Sequence, residues 1–286
     1  MPPSPPRRTV AHNVVHLRAR PTNDSERVSQ TLMGRSVCVL ETRDDWSYVE
    51  TDDTYRGWAE SRWLAVPSGR PLMPVRSVFA DLRADPCAEA PLVLRLPIGA
   101  AVHADGVRRR QANQEWRAVT LPDGTTRGWL TGGALNEDAS WPAGDSVASA
   151  AAAYARDFLG TPYLWGGSSS FGLDCSGLVQ LCYRLAGVTL RRDADIQRDD
   201  ERFVPVAREN LAPGDLVFFG RHDRITHVGM HFDEHGTFIH AAGGAGVIVS
   251  VWGDERYSPS FVDARRLDPG RAGDPVTRPG ERESPR

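Results

Sequence analysis

Cysteine is scarce in this chain. Four residues, at 38, 87, 175 and 182 of 286, contain no CxxC pair, so neither a zinc knuckle nor a disulfide framework is indicated. That usage fits a reducing compartment, in which a catalytic thiol also survives. An excess of either charge is missing too: 34 basic residues face 37 acidic ones for a net charge of −3, so there is no electrostatic case for nucleic acid. Long apolar runs are also lacking. The opening MPPSPPRRTVAHNVV carries charge and proline but no stretch of signal-peptide length. The longest run of small apolar residues, VASAAAAYA at 147–155, falls far short of a membrane span. The expectation is a soluble, cytoplasmic protein with no membrane partner. At 286 residues and 40% hydrophobic, it is long enough for two or three domains with real cores.

What the chain does have is a repeat. LRARPT at 17–22 returns as LRADPC at 82–87, DDWSYVE at 44–50 as QEWRAVT at 114–120, and YRGWAESRWL at 55–64 as TRGWLTGGAL at 126–135. The offsets of 65, 70 and 71 residues describe two copies of one unit, with a loop insertion in the second. Within each copy, short stretches such as RSVCVLE and WSYVE alternate apolar and polar residues between turn residues, the pattern of strands. A sheet of about sixty residues avoids exposed edges by closing into a barrel.

VPSGRPLMP at 66–74 and NEDASWPAGD at 136–145 read as linkers, rich in proline, glycine and acid. After them the pattern changes. SVASAAAAYARDFLG at 146–160 is helix-forming and ends at glycine, and CSGLVQLCYRLAG is a second helix whose Gly187 suits a left-handed cap. DLVFFG, HVGMHF, TFIHAA and VIVSVW follow as four short strands, giving an α+β domain. The predicted boundaries are 8–67 and 68–139 for the barrels, 140–268 for the α+β domain, and a disordered polar tail at 269–286.

Cys175 opens the second helix, and His227 opens a strand some fifty residues later. A thiolate is the nucleophilic form of cysteine, and the positive end of a helix favours it. There the cysteine's own N–H is also a donor for an oxyanion. Cys182, seven residues on among apolar neighbours, reads as inert core. HVGMHFDEHGTFIHA reads as a hairpin turning at Glu234–His235, which sets Gly229 opposite His240 and makes His227 the diagonal neighbour on the same face. Such diagonals lie about 7–8 Å apart at the backbone, within reach of two bridging imidazoles. His227 then takes the thiol proton and His240 fixes its tautomer, which describes a papain-like cysteine hydrolase. His222, His231 and His235 are given no role. A Cys/His/His zinc site is the alternative, and it lacks a fourth ligand at metal-like spacing.

GTPYLWGG, LDCSGLVQ, GDLVFF, THVGM and FIHA, in this order over 150–265, resemble the NlpC-type bacterial cell-wall cysteine peptidases. The leading LR, central W and closing GW of residues 8–139 resemble bacterial SH3-like domains. Together they are similar to the γ-D-glutamyl-L-diamino acid endopeptidases that trim murein peptides during recycling. The resemblance implies two SH3-like barrels followed by a papain-like catalytic domain, with Cys175 as nucleophile, His227 as base and His240 as third member. It implies murein tripeptide or tetrapeptide fragments as substrates, cut after L-Ala-γ-D-Glu when the alanine amine is free. No metal or organic cofactor is implied, and a monomer is expected.

Asp174 is an odd neighbour for a thiol, because an adjacent anion raises the thiol pKa. As a helix N-cap or as the acceptor for a substrate ammonium its position makes sense. The resemblance adds Glu26 and Tyr55 from the first barrel to amine binding, and places Tyr163 and Ser176 at the substrate site. A first barrel that donates these groups gates the cleft, while the second, without such acceptors, is scaffold. Arg192 reads as a solvated charge. Two other functions remain open: a papain-like acyltransferase or amidase, and a wall-binding protein with a degenerate catalytic domain.

Overall fold

The computed structural model describes residues 5–136, 146–221 and 224–276. Most of the second linker, His222 and the end of the tail lie outside these residues. The described chain falls into two compact units. One takes the residues within Met1–Thr51, Arg56–Ser140 and Thr161–Asp174; the other takes those within Asp52–Tyr55, Trp141–Gly160 and Cys175–Arg286.

The first unit contains two large antiparallel sheets that share one order over six strands, the first adding a seventh at its edge. In the first, the order is Arg27–Leu32, Val14–Arg18, Arg56–Glu60, Trp46–Glu50, Ser36–Arg43, Arg7–Val10, and finally Leu64–Ala65. In the second it is Leu92–Pro97, Phe79–Arg83, Arg127–Thr131, Gln114–Thr120, Ala101–Gln111 and Met73–Pro74. The repeated motifs are the point where each sheet folds over on itself. Arg18 pairs with Trp58, and Arg83 pairs with Trp129. At this crossing the preceding glycine has to be bare. A Cβ on Gly57 would lie 2.9 Å from Leu17 Cβ, and one on Gly128 would lie 2.7 Å from the Arg83 carbonyl oxygen. Each arginine then reaches a backbone carbonyl seven residues on, Arg18 to Ser25 at 2.8 Å and Arg83 to Ala90 at 3.1 Å. The inward alternate residues fill each core: Val10, Val15, Leu17, Val37, Val49 and Ala59 in the first sheet, and Leu82, Leu96, Val102, Val119 and Leu130 among others in the second.

The second unit holds three helices, α1 (Ser146–Arg156), α2 (Cys175–Leu185) and α3 (Ala194–Arg198). Its six-stranded antiparallel sheet runs in the order Phe203–Pro205, Phe261–Leu267, Leu216–Arg221, Arg224–Asp233, Thr237–Ala242, Gly246–Val251. The four expected strands are consecutive neighbours, and the last strand of the chain inserts beside the first of them. Phe218, Val228, Met230 and Ile239 are fully buried, and by the two-residue period they lie on one face. Val217, Phe219, Phe238 and Ala264 form a second cluster with Trp252, Tyr257 and Phe261. Burying one such aromatic or aliphatic side chain contributes about 1.5–3 kcal/mol.

α2 is buried along nearly its whole length and packs on α1 and on the strands 224–233 and 237–242. Gly187, at φ 93°, ends it as the sequence predicts, and the Val188 N–H closes back on Tyr183 O at 2.9 Å. Gly214, at φ 98°, has no room for a side chain, since a Cβ would meet Ala148 O. The following Asp215 is almost fully buried and accepts two bonds from Arg266, at 2.9 and 2.6 Å. Residues 269–271 of the expected tail form a short 3-10 turn capped by Asp268. Among the described residues, no helix is long and apolar enough to cross a membrane.

Candidate active site

Cys175 is the first residue of α2, half-buried and not in a disulfide. In an α-helix the N–H groups of the first turn have no partner within the helix, so the fold sets this sulfur where an anion is favoured. Cys182, by contrast, is fully buried, and burial pushes its thiol well above the usual range.

Away from its turn the hairpin keeps the register the sequence predicts, but a bulge sets Asp233 opposite Thr237, so the chain turns over 234–236 rather than at Glu234–His235 alone. Met230 pairs with Ile239 and His231 with Phe238, which sets Gly229 against His240. A Cβ on Gly229 would lie 3.2 Å from His240 Cβ and 3.0 Å from the Phe238 ring, so glycine there leaves room for the imidazole. His227 Nε2 and His240 Nδ1 are 2.8 Å apart, with the rings nearly perpendicular at 85°. The other nitrogen of His240, Nε2, lies 3.0 Å from Ser250 Oγ. Burial first, then the neighbouring His227 and Arg256, holds the His240 pKa down to about 3. His240 is therefore neutral at physiological pH. Phe219, Phe238 and Tyr257 surround the pair, with the Tyr257 ring 4.7 Å from His240 and 6.0 Å from His227.

This arrangement argues against the zinc alternative, because both nitrogens of His240 are already engaged by His227 and Ser250. Among the described residues, no group of three or more His, Cys, Asp or Glu is set to hold a metal. His231 shares the strand and is buried, with its Nδ1 unpartnered and its pKa lowered by burial.

The remaining predicted residues divide between the two units. In the first unit, Asp174 is buried, and its Oδ2 accepts the Gly166 N–H at 2.8 Å. Glu26 is exposed and accepts the Trp165 indole N–H at 2.7 Å, while Arg27 Nε donates to Trp165 O at 2.8 Å. Glu26 and Asp174 thus hold successive residues of one loop. Tyr163 is half-buried and bridges to Leu173 in that same loop.

In the second unit, Ser176 is buried and its Oγ accepts from Arg192 Nη1 at 2.7 Å. Tyr55 groups with this unit rather than with Glu26. Burial and the adjacent Asp193 push its phenol well above the usual range. Arg192 is not the solvated charge that its sequence context suggests: only 1% of its surface is exposed. Trp165, Ser250 and Tyr257 were not singled out by the sequence. Trp165 left a weak signal there, an aromatic residue directly before Gly-Gly.

The chain is similar to known proteins over both of its regions. A family model described as NlpC/P60 family matches residues 160–266, and one described as bacterial dipeptidyl-peptidase SH3 domain matches residues 17–64. A γ-D-glutamyl-L-lysine dipeptidyl-peptidase of Bacillus cereus is 30% identical over 248 residues, covering 77% of this chain and 68% of that one. Dipeptidyl-peptidase 6 of Lysinibacillus sphaericus is 27% identical over 223 residues, 73% of this chain and 80% of its own. The crystal structure of an NlpC/P60 family protein from Bacillus cereus superposes with a TM-score of 0.75 over 91% of this chain and 99% of that one, at 23% identity.

Proposed function

The chain belongs to the NlpC/P60 family of cysteine peptidases, with an SH3-like region ahead of the peptidase domain, and from that premise we propose that it hydrolyses the bond between γ-D-glutamate and a diamino acid in murein peptides, releasing L-Ala-γ-D-Glu. The substrates in this reading are tripeptide or tetrapeptide fragments with a free N-terminal alanine, met in the cytoplasm by a monomeric enzyme. Both repeats, 8–67 and 68–139, are SH3-like barrels, and 140–268 is the catalytic domain. The first barrel gates the substrate and the second is scaffold. The strand order that the two sheets share over six strands supports the paired barrels.

The observation that carries the reading is the 2.8 Å contact between His227 Nε2 and Nδ1 of a neutral, buried His240. With His240 Nδ1 as the acceptor in this pair, Nδ1 of His227 takes the Cys175 proton, and His240 stabilises the imidazolium that results. The thiolate attacks the γ-carbonyl carbon of D-glutamate; the S–C bond forms and the carbonyl electron pair moves to oxygen. The Cys175 backbone N–H is the proposed oxyanion donor, and the Tyr163 hydroxyl is proposed as a second. Collapse expels the diamino-acid amine, which takes the proton from His227, and leaves a thioester. Water then attacks with His227 as base, releasing the dipeptide acid and the thiol. We assign the substrate ammonium to Asp174, Glu26 and Tyr55, and further substrate contact to Ser176.

The test incubates the protein with L-Ala-γ-D-Glu-diaminopimelate, its N-acetylated twin, and a Cys175→Ala control. The chain contains no lysine, all 34 of its basic residues being arginine, so an amine-reactive dye follows the newly freed amine with little protein background. Release of L-Ala-D-Glu from the free-amine peptide alone, abolished by Cys175→Ala, is the expected result. Cleavage of both peptides removes the amine gate and keeps the thiol hydrolase. Cleavage of neither removes the proposed substrate class.

A further inference from the structure

His240 uses both ring nitrogens, and among the described residues the hydroxyl of Ser250 hydrogen-bonds to nothing but His240. The register explains the meeting. Phe238 pairs with Ser250 and His240 with Ile248, so Ser250 lies two residue pairs along from His240, as its diagonal neighbour on the same sheet face. Both side chains are buried, His240 completely and Ser250 to 6% exposure.

A neutral imidazole has one N–H and one lone pair, so two bonds admit two arrangements. In the first, His240 Nε2–H donates to Ser250 Oγ and Nδ1 accepts from His227 Nε2–H. In the second, the Ser250 hydroxyl donates to Nε2, and Nδ1–H donates to His227 Nε2. The two are unequal once His227 acts as a base. Protonated His227 carries a hydrogen on both nitrogens. Only the first arrangement gives its Nε2–H an acceptor; the second points two N–H groups at each other across 2.8 Å. The second also forces the proton of neutral His227 onto Nδ1, the nitrogen that has to accept from the thiol.

We propose that Ser250 is a positioning residue of the catalytic apparatus: its hydroxyl accepts from His240 Nε2–H, holds His240 in the tautomer that presents a lone pair to His227, and thereby keeps His227 competent as a base. The inference rests on the assignment of Cys175 and His227 above. Without the hydroxyl, a buried Nε2–H has no partner, at the cost of an unmade hydrogen bond, and the second tautomer gains population. A base held in the wrong tautomer loses about 10⁴ in rate in a serine–histidine–aspartate triad. Ser250 acts one residue further out, so a smaller loss of about 10- to 100-fold is expected.

The test combines kinetics with a direct view of the tautomer. Ser250→Ala should lower kcat by about 10- to 100-fold with KM within about twofold, and Ser250→Thr, which keeps the hydroxyl, should restore most of it. Long-range nitrogen–proton NMR of histidine-labelled wild-type protein should find His240 protonated on Nε2, with the Nδ1–H form rising in Ser250→Ala. A wild-type kcat in Ser250→Ala overturns the proposal, and so does an Nδ1–H His240 in the wild type, even where the alanine variant does not fold. Retained activity in Cys175→Ala or His227→Ala would instead sink the underlying assignment, and the tautomer measurement is independent of it.

Discussion

The two sheets of the first unit share their scaffold and differ in what they carry. Both close with the same lock, a Leu-Arg strand crossing a Gly-Trp strand, and both send the arginine to a carbonyl seven residues on. At the offset of 65 residues, Glu26, Arg27 and Gln30 of the first copy become Pro91, Leu92 and Arg95 in the second. Glu26 and Arg27 hold Trp165, and Gln30 Oε1 accepts from Ser168 N at 2.8 Å and Ser169 Oγ at 3.1 Å. In the second copy the corresponding strand leaves Leu92 and Val93 exposed, and Arg95 pairs with Asp81 on its own sheet. Residues that build the fold recur in both copies; the side chains at 26, 27 and 30 that hold the 161–174 loop do not, and the second copy meets that loop elsewhere, through Val78 O accepting from Ser170 Oγ at 2.9 Å and Phe79 against Phe171. A repeat therefore separates the two kinds of residue without any further comparison.

The lock is the place to break both copies, and unequally. A side chain on Gly128 meets the backbone oxygen of Arg83 at 2.7 Å, whereas on Gly57 the nearest atom is a side-chain carbon at 2.9 Å and the backbone oxygen is 3.4 Å away. Leu17 Cβ is itself fixed to the backbone, so both crossings resist, but a Cβ on Gly128 meets three atoms at 2.7–2.8 Å where one on Gly57 meets a single atom closer than 3.4 Å. Gly128→Val should destabilise by about 3 kcal/mol or more and Gly57→Val by less, read as urea midpoints at unchanged m-value. Equal losses would mean that the two crossings are equally compliant.

The difference in cargo predicts a smaller, one-sided effect. Gln30→Leu strips the partners from a buried Ser168 N–H and Ser169 hydroxyl, at about 1–3 kcal/mol, and should speed hydrogen exchange at the Ser168 amide. Arg95→Leu removes an ion pair with Asp81 and a cation–π contact with Phe79, and should cost under about 1 kcal/mol and leave exchange at the Ser168 amide unchanged. A matching response in the two variants would erase the distinction between the sheets.

Much of this was legible in the sequence because it is local or repeated. The lock was visible as LR and GW motifs, α2 by its composition and closing Gly187, and the His227–His240 neighbourhood by a two-residue period around a single turn. What stayed hidden depends on pairing over long distances. Ser250 in VIVSVW is one more polar residue of an alternating strand until the hairpin with 237–242 puts it on the face of His240. Arg192 reads as a surface charge until Ser176, 16 residues away, takes it into the interior. Trp165 meets Glu26 across 139 residues, and no local rule announces such a bond. Likewise the strand 261–267 lies beside 216–221 out of sequence order, which helix-then-strand patterning does not resolve.

Acid should separate the two copies most finely. The same cross-strand position holds His16 opposite Gln30 in the first sheet and Asp81 opposite Arg95 in the second. Burial, then Arg27 and Arg18, lowers the His16 pKa from 6.5 to about 4. Between those values the unfolded chain binds the proton and the folded one does not, so stability rises with pH there and is lost as pH falls from 6.5 towards 4. The Asp81 carboxyl is held below its usual 3.8 by its hydrogen bond to Arg95, so its contribution is present above 3.8 and fades only at lower pH. The first sheet should therefore weaken with acid before the second. His16 keeps a solvent-exposed side, which makes the effect small. Hydrogen-exchange protection, corrected for intrinsic rates, should fall across Val14–Arg18 between pH 6.5 and 4.5 while Phe79–Arg83 holds, and His16→Gln should flatten the difference. A parallel decline of both strands in the wild type would show that the swap of a neutral pair for an ion pair makes no difference to how the two sheets meet acid.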